Sequence, residues 1–348
     1  MSLGKELQHG RVWRALAKHL KIGSAIVGLV FGSWLPAGAS NPSRLQTNPA
    51  SGGQAPGANG SDVIRSEADM VVLPVSVTDH HGHFVAGLTK NDFTVYDDGR
   101  PESIDLFMHD DAPVTVGLII DCSGSMRPNR EEVAEAAKDF LRSSNPQDQI
   151  FVVNFNETAS LGLPANMPFT SNVSDLVAAV ETGPSEGMTA LYDAIDLGLK
   201  HLALGTNRKK ALVIISDGGD NASQETLKQT LAAVQHSSAI TYTIGIIAAD
   251  QADVNPRVLR KLAKDTGGES YFPTSAEQLP GICQQVAHDL REQYTLAYLP
   301  TTGQSAGYRT IRVVVHAPGH HGLKVRTRAG YLATADASPA NKSGTGTS

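Results

Sequence analysis

The sequence predicts an α/β domain with a mostly parallel sheet, flanked in the chain by two regions of short β-strands. Two observations support this prediction. Between residues 113 and 292, continuous apolar runs alternate with segments whose apolar residues have helical spacing. Residues 67–112 and 293–333 instead alternate apolar and polar side chains, and they contain no helical segment. Apolar strands joined by helices are typical of a parallel sheet covered on both faces.

The flanking regions are predicted to supply seven strands in total. Four precede the α/β domain: MVVLPVSVTD, HFVAGL, DFTVYDDG and SIDLFMHD, with turn signals in DHHGH and DDGRP. Three follow it: QYTLAYLP, YRTIRVVVHAP and LKVRTRAGYL. Because neither group is large enough for a comfortable two-sheet domain, we expect one antiparallel β-sandwich with the α/β domain inserted in it. The alternative is two small extensions of the α/β sheet.

The α/β domain is predicted to begin with the strand VTVGLIID and a helix over RPNREEVAEAAKDFLRSS. The apolar face of that helix consists of Val133, Ala136, Ala137, Phe140 and Leu141. The later strands are QIFVVNFN, KALVIISD, ITYTIGII and the short ESYFP. The later helices are SDLVAAVE, TALYDAIDLGLKHLAL, SQETLKQTLAAVQHSS, NPRVLRKLAKDTGG and SAEQLPGICQQVAHDLRE.

The N-terminal residues 1–39 have the order of a secretory signal peptide: basic residues, the apolar run IGSAIVGLVFGSWL, then small residues before Ala39. This predicts a periplasmic or secreted protein, and an uncleaved membrane anchor is the alternative. Residues 40–66 and 334–348 are rich in Ser, Gly, Pro, Asn and Ala, so we expect a disordered linker and a disordered tail.

Composition excludes several classes of protein. The 348 residues are 18% charged and 41% hydrophobic, which is typical of a globular chain. The net charge is -6, and it would be near -10 without residues 1–39, so nucleic acid is an unexpected partner. The two cysteines, Cys122 and Cys283, exclude a cysteine-based zinc site, and the sequence leaves open whether they pair.

The stretch DCSGSM directly follows the first strand of the α/β domain. Its Asp121, Ser123 and Ser125 are spaced by two residues, so a carboxylate and two hydroxyls can point to one side of the loop. Ligands of open parallel sheets collect at the carboxyl ends of the strands. An oxygen-rich corner there suits a hard cation, above all Mg²⁺, with Mn²⁺ or Ca²⁺ as alternatives.

Two further oxygen donors are expected at the same edge of the sheet. Thr189 lies in GMTALYDAI, immediately before a helix, and Asp217 follows the strand KALVIIS. Asp121 and Asp217 would balance the two charges of the cation, and the three hydroxyls with water would complete its shell. Neutral hydroxyl ligands leave the metal electrophilic, so it could accept a carboxylate from a partner.

This order of motifs, D-x-S-x-S, then Thr in GMTALYDAI, then Asp in SDGGD, resembles the von Willebrand factor type A (VWA) domain. All five positions match the metal-ion-dependent adhesion site of that family. The flanking regions resemble the VWFA-related proteins of acidobacteria, which extends the similarity to most of residues 67–333. The resemblance implies a Rossmann-like fold that binds a protein partner through Mg²⁺.

Other interpretations of these residues are weaker. A nucleophilic serine needs a base and a G-x-S-x-G turn, and neither accompanies Ser123 or Ser125. No phosphate-binding glycine motif is present. Cys122 is expected to pack as a buried thiol, with a redox role as the alternative. The His-rich turns HHGH and GHHG are expected at the surface, with a zinc or nickel site as the alternative.

The sequence therefore predicts an exported, non-catalytic protein that binds a partner's acidic side chain through a metal ion. The alternative is a structural or assembly component of a cell-envelope complex, in which the metal mainly stabilises the loops. In either case no membrane span is expected in the mature chain, and the oligomeric state is left open.

Overall fold

The computed structural model describes residues 70–109, 111–183, 186–246, 255–301 and 307–333. The predicted signal peptide (1–39), linker (40–66) and tail (334–348) lie outside the described residues. In the ranges given above, no helix combines the length and the apolar character that crossing a membrane requires.

A six-stranded sheet forms the centre of the α/β domain, in the order β10-β9-β8-β5-β6-β7. Its strands are β5 (Val114–Asp121), β6 (Gln149–Phe155), β7 (Ala159–Leu161), β8 (Lys209–Ser216), β9 (Ile240–Gly245) and β10 (Ser270–Tyr271). All neighbours are parallel except β6 and β7, so the predicted mostly parallel sheet is confirmed. Every residue of β5 is buried, as expected for the central strand of a sheet covered on both faces.

Helices cover the two faces of this sheet. They are α1 (Arg130–Ser143), α2 (Val173–Glu181), α3 (Leu191–Leu202), α4 (Leu227–His236), α5 (Pro256–Thr266) and α6 (Leu279–Glu292). The apolar face predicted for α1 is buried at all five positions. The α5 helix begins at Pro256 and ends before Gly267, whose φ of 85° favours glycine. A side chain at Gly267 would also lie 2.4 Å from the backbone of Thr327.

Two antiparallel four-stranded sheets form the sandwich, in the orders β13-β1-β11-β4 and β14-β12-β2-β3. The strands are β1 (Val71–Thr78), β2 (Phe93–Asp97), β3 (Arg100–Glu102), β4 (Leu106–Met108), β11 (Tyr294–Tyr298), β12 (Gly307–Val315), β13 (Lys324–Arg326) and β14 (Gly330–Ala333). Each sheet combines strands from before and after the α/β domain. They also share one apolar core, which includes Leu73, Val95, Tyr294 and Val313. The α/β domain is therefore inserted in a β-sandwich, and the alternative of two separate extensions is wrong.

The sandwich differs from the predicted seven strands in three places. The predicted strand HFVAGL forms only the isolated bridge of Phe84 with Thr78, because its buried residues Val85 and Leu88 are three apart and Gly87 has φ 79°. The segment DDGRP was predicted to be a turn throughout, but β3 begins within it at Arg100. The two residues Asp98 and Gly99 are enough to connect β2 to β3. LKVRTRAGYL divides into β13 and β14, which belong to different sheets.

A buried polar cluster joins the α/β domain to the sandwich. Asp289 of α6 accepts hydrogen bonds from Ser76 Oγ at 2.7 Å and Tyr242 OH at 2.6 Å. It also forms an ion pair with Arg326 of β13. Ser76 belongs to β1 and Tyr242 to β9, so this single carboxylate connects the central sheet, its last helix and the sandwich.

Candidate functional site

The candidate site lies where the strand order of the central sheet reverses. From β5 the chain continues through β6 and β7 on one side, whereas β8, β9 and β10 follow on the other. β5 ends at Asp121, and its neighbour β8 ends at Ser216, directly before Asp217. This is the switch point at which open α/β sheets bind their ligands. The parallel pairing of β5 and β8 therefore explains why two carboxylates far apart in sequence meet.

Asp121 is 2% exposed, and both oxygens of its carboxylate accept hydrogen bonds. The N–H of Ser123 donates to Oδ1 at 2.9 Å, and the hydroxyl of Ser216 donates to Oδ2 at 2.7 Å. These two hydrogen bonds, one from the following loop and one from the neighbouring strand β8, fix the orientation of the carboxylate at the end of β5.

The two serines of DCSGSM extend from Asp121 to Asp217. The hydroxyl oxygens of Ser123 and Ser125 lie 3.0 Å apart, and Ser125 Oγ donates to Asp217 Oδ2 at 2.8 Å. The other oxygen of Asp217 accepts from the N–H of Gly219 at 2.9 Å. A continuous row of oxygen atoms therefore connects the ends of β5 and β8.

Thr189 is 7% exposed and is held mainly by its backbone. Its N–H donates to Asn221 Oδ1 at 2.8 Å, and its carbonyl accepts from the N–H groups of Asn221 at 2.9 Å and Ala222 at 3.1 Å. The preceding turn reaches the serine loop, since Gly187 O accepts from Gly124 N–H at 3.4 Å. The structure thus joins the loop of Thr189 to both other loops. No hydrogen bond between described residues links its hydroxyl to the four other predicted ligands.

The two carboxylates, Asp121 and Asp217, dominate the electrostatics of the site. Burial raises the pKa of Asp121 to about 6, hydrogen bonds from Ser123 and Ser216 oppose this rise, and the charge of Asp217 adds to it. Within the described ranges, no Lys, Arg or His forms an ion pair with either carboxylate. The pair therefore carries negative charge that no side chain of the described chain neutralises.

Several residues that shape the site were not predicted. Ser216 is buried at the last position of β8 and orients Asp121, while Asn221 orients Thr189. Asp220 accepts from the N–H of Tyr192 at 3.1 Å and from the hydroxyl of Ser223, so it supports the start of α3, and among the described residues it forms no hydrogen bond with Ser123 or Ser125. The sequence signal for Ser216 is its position in VIISDGGDN, where its hydroxyl directly precedes the carboxylate of Asp217 at the end of the strand.

Cys122 packs away from this row of oxygens, as expected from its position. It is 3% exposed, and its Sγ lies 3.8 Å from Asn154 Oδ1. Both cysteines are free and buried. Burial raises the pKa of Cys122 to about 11 and that of Cys283 to about 12.

We expect neither thiol of the native protein to react with a disulfide reagent at pH 8, because a buried thiol with a raised pKa supplies almost no thiolate. The measurement is absorbance on addition of Ellman's reagent, before and after unfolding in guanidinium. Both thiols should react only in the unfolded protein. Rapid reaction of one thiol in the native protein would contradict the buried placement of Cys122 and Cys283.

The predicted His-rich turns lie at the surface. His80, His81 and His83 are exposed in one turn, and His320 and His321 are exposed in the other. In the described part of the chain, no three His, Cys, Asp or Glu side chains are placed to hold a metal ion. The candidate site at Asp121 differs because it combines two carboxylates with hydroxyls.

The family profile described as "von Willebrand factor type A domain" matches residues 116–285. Residues 116–285 are a VWA domain. The match extends from the first strand of the central sheet into α6, and the predicted resemblance is confirmed at this level. The VWA domain thus accounts for the inserted α/β unit, and the sandwich lies outside the matched residues.

Solved structures similar to this chain include the following three bacterial proteins. One is "von Willebrand factor type A from Catenulispora acidiphila", with 15% identity, 70% of this chain and 74% of that chain covered, and a TM-score of 0.44. A second is the "vWF domain of the type V pili tip protein Mfa5 from Porphyromonas gingivalis", with 13% identity, 51% and 96% covered, and a TM-score of 0.43. A third is the "conserved hypothetical protein BatB from Bacteroides thetaiotaomicron", with 17% identity, 51% and 98% covered, and a TM-score of 0.41. No curated protein matches the sequence.

Proposed function

We propose that the VWA domain binds Mg²⁺ through Asp121, Ser123, Ser125, Thr189 and Asp217, and that the bound metal captures a carboxylate of a protein partner. The observation that supports this most is the row of oxygens from Asp121 to Asp217, joined by the 2.8 Å hydrogen bond of Ser125 to Asp217. Only oxygen donors converge there, and two of them are carboxylates. Mg²⁺ prefers this donor set, and Mn²⁺ or Ca²⁺ would also accept it.

The proposed ligands would contribute to metal binding in two ways, through their charge and through their geometry. Asp121 and Asp217 supply two negative charges, which offset the charge of a divalent cation. The serine and threonine hydroxyls add neutral ligands, so the bound metal keeps the electrophilic character that attracts a further carboxylate. Ser216 and Asn221 hold the ligands in place through the contacts at 2.7 and 2.8 Å described above.

We also propose that the protein is exported, that it is non-catalytic, and that it is of the VWFA-related type found in acidobacteria. The order of residues 1–39 supports export, and the flanking strands support the subgroup. A structural or assembly role in a cell-envelope complex is the second candidate. It is favoured by the hydrogen bonds that already join the three site loops, since a metal there could act mainly to stabilise them.

The two candidate functions differ in whether the capture of a partner requires the metal. We expect beads that carry the wild-type chain to retain a partner from envelope extract in Mg²⁺ and to release it in EDTA. Asp121→Ala should abolish this capture, whereas the matched surface variant Asp196→Ala should capture normally, because Asp196 pairs with Lys200 on α3 and, among the described residues, contacts no predicted ligand. Capture that persists in EDTA and in Asp121→Ala, together with a loss of thermal stability without metal, would favour the structural role.

The effect of Mg²⁺ on stability should depend on pH. Asp121 has a pKa of about 6 in the folded metal-free protein and 3.8 as its reference value, so the folded state binds its proton more tightly. Metal must displace that proton below pH 6, and its affinity falls as pH decreases. We expect the rise in Tm on adding Mg²⁺ to be large at pH 7.5 and small at pH 5, measured by differential scanning fluorimetry. An equal rise at both values would contradict Asp121 as a ligand.

A further inference from the structure

A groove lies between the VWA domain and the sandwich, away from the candidate metal site. Its volume is about 530 Å³, and it is lined by the C-terminal half of α5, by residues 268–270 and by β12, β13 and residues 327–329. The other end of α5 approaches the metal site, because Gly218 packs against the carbonyl of Asn255. The two sites are thus at opposite ends of the same helix.

The wall of this groove is strongly basic although the whole chain is acidic. Arg260, Lys264 and Arg312 line it and are exposed. Arg260 lies over the ring of Phe272 at 4.3 Å and Arg312 over the ring of Tyr96 at 4.0 Å, so aromatic faces hold both guanidinium groups in place. None of the three cations forms an ion pair with a carboxylate of the described residues.

Acidic residues do not compensate this charge. Glu269 is the acidic side chain that lines the groove, and it is engaged by Arg326, which also pairs with Asp289. The remaining lining residues are mostly apolar, including Ile311, Val313 and Val325. Ile311 and Val313 belong to the buried core of the sandwich, so the accessible apolar surface of the groove comes from half-buried residues such as Val325 and Ala329, beside a basic wall.

Arg328 also lines the groove, and its guanidinium is hydrogen-bonded to α4 and to the start of β14. It is 8% exposed, and it donates to the carbonyls of Gly330 at 2.9 Å and Gln235 at 2.6 Å. Within the ranges that the structure describes, no carboxylate pairs with it. A buried charge without a counter-ion is costly. The two carbonyl oxygens offset part of that cost.

The backbone of β12 provides a third element of recognition. β12 pairs with β14 only over residues 307–310, and Ile311 N–H then donates to Ala329 O at 2.9 Å on the same side. Beyond Ile311, β12 pairs with β2 on its other side alone. By the alternation of a strand, the N–H and C=O of Val313 point towards the groove. They have no partner among the described residues.

We propose that this groove binds an extended acidic segment of a partner protein. The exposed cations Arg260, Lys264 and Arg312 would contact its carboxylates, and the free edge at Val313 would contact its backbone, as in binding by strand addition. A small inorganic anion would contact the cations alone and would leave the backbone groups of Val313 without a partner, so a peptide fits the groove better. This contact is independent of the proposed metal site.

The test uses a fluorescein-labelled peptide of about eight residues that alternates Glu and Val, with a Lys and Val peptide as its counterpart. Fluorescence anisotropy is measured in EDTA, so the metal site makes no contribution. We expect the wild-type chain to bind the acidic peptide and not the basic one, with an affinity that falls as salt rises. The variant Arg260→Glu/Lys264→Glu should bind at least about tenfold more weakly, because it reverses two charges of the wall.

The matched control is Arg257→Glu/Lys228→Glu, which makes the same charge change at exposed residues outside the groove. It should bind within about twofold of the wild type, since only the long-range field changes. Arg312→Glu repeats the test from the sandwich side, and an unchanged Tm shows that each variant is folded. Equal weakening by the control, or tighter binding of an oligonucleotide of equal charge, would overturn the proposal. So would peptide binding that Asp121→Ala abolishes and the groove variants leave unchanged.

Discussion

Replacing Asp289 with alanine is expected to lower the free energy of unfolding by about 3 kcal/mol, the largest stability loss that we predict. The carboxylate is 1% exposed and accepts from Ser76, Tyr242 and Arg326. Its removal leaves the two buried hydroxyls without their acceptor and takes one of two carboxylate partners from Arg326, which keeps Glu269 and the carbonyl of Gly267. Because these partners belong to β1, β9 and β13, the loss should affect the VWA domain and the sandwich together.

Urea unfolding monitored by circular dichroism and by tyrosine fluorescence measures this effect. Gln285→Ala is the matched control on the same helix, since Gln285 is exposed, and it should change the free energy by less than about 0.5 kcal/mol. Asp289→Asn should fall between the two, because it retains a hydrogen-bond acceptor but not the charge. A loss below about 1 kcal/mol in Asp289→Ala would show that the cluster does not stabilise the junction.

The second large effect is expected at the proposed metal site. Wild-type protein in Mg²⁺ at about 100 times Kd should gain about 2.7 kcal/mol of stability. Asp121→Asn should gain almost nothing, because removal of a charged ligand should lower metal affinity at least about 100-fold. The same variant should not be less stable than wild type without metal at pH 7.5.

This last expectation follows from the sign of the pKa shift. Burial raises the pKa of Asp121 to about 6, so the folded metal-free protein binds the proton more tightly than the unfolded chain does. Its stability therefore falls as pH rises from about 4 to 6, and above pH 6 the ionised carboxylate opposes folding. Asparagine does not ionise and avoids this cost. Asp121→Asn that unfolds without metal would indicate a structural role for the carboxylate instead.

The sequence predicts the VWA domain well because its strands are continuous apolar runs and its helices have clear periodicity. The burial of Phe140 and Leu141 on α1 follows directly from their spacing. The sandwich is harder to predict, since its strands are short and their pairing is non-local. HFVAGL alternates like a strand, yet Gly87 turns the chain, and the tertiary position of Val85 and Leu88 decides its conformation.

The candidate site was predicted as residue types at strand ends, and the structure joins four of the five directly by hydrogen bonds. The supporting residues Ser216 and Asn221 were missed because a single polar residue beside a motif gives no distinct signal. The basic groove could not be predicted at all. Its cations come from α5, β12 and the segment after β13, and only the pairing of distant strands brings Arg260 and Arg328 together.

Calorimetric titration of Mg²⁺ into metal-free protein at pH 7.5 tests the central proposal most directly. Wild-type chain is expected to bind one ion that EDTA removes, with no binding in Asp121→Asn or Asp217→Asn and normal binding in the surface variant Asp196→Ala. Absence of binding to the wild type, or binding that both site variants retain, would contradict the assignment of the metal to the ends of β5 and β8.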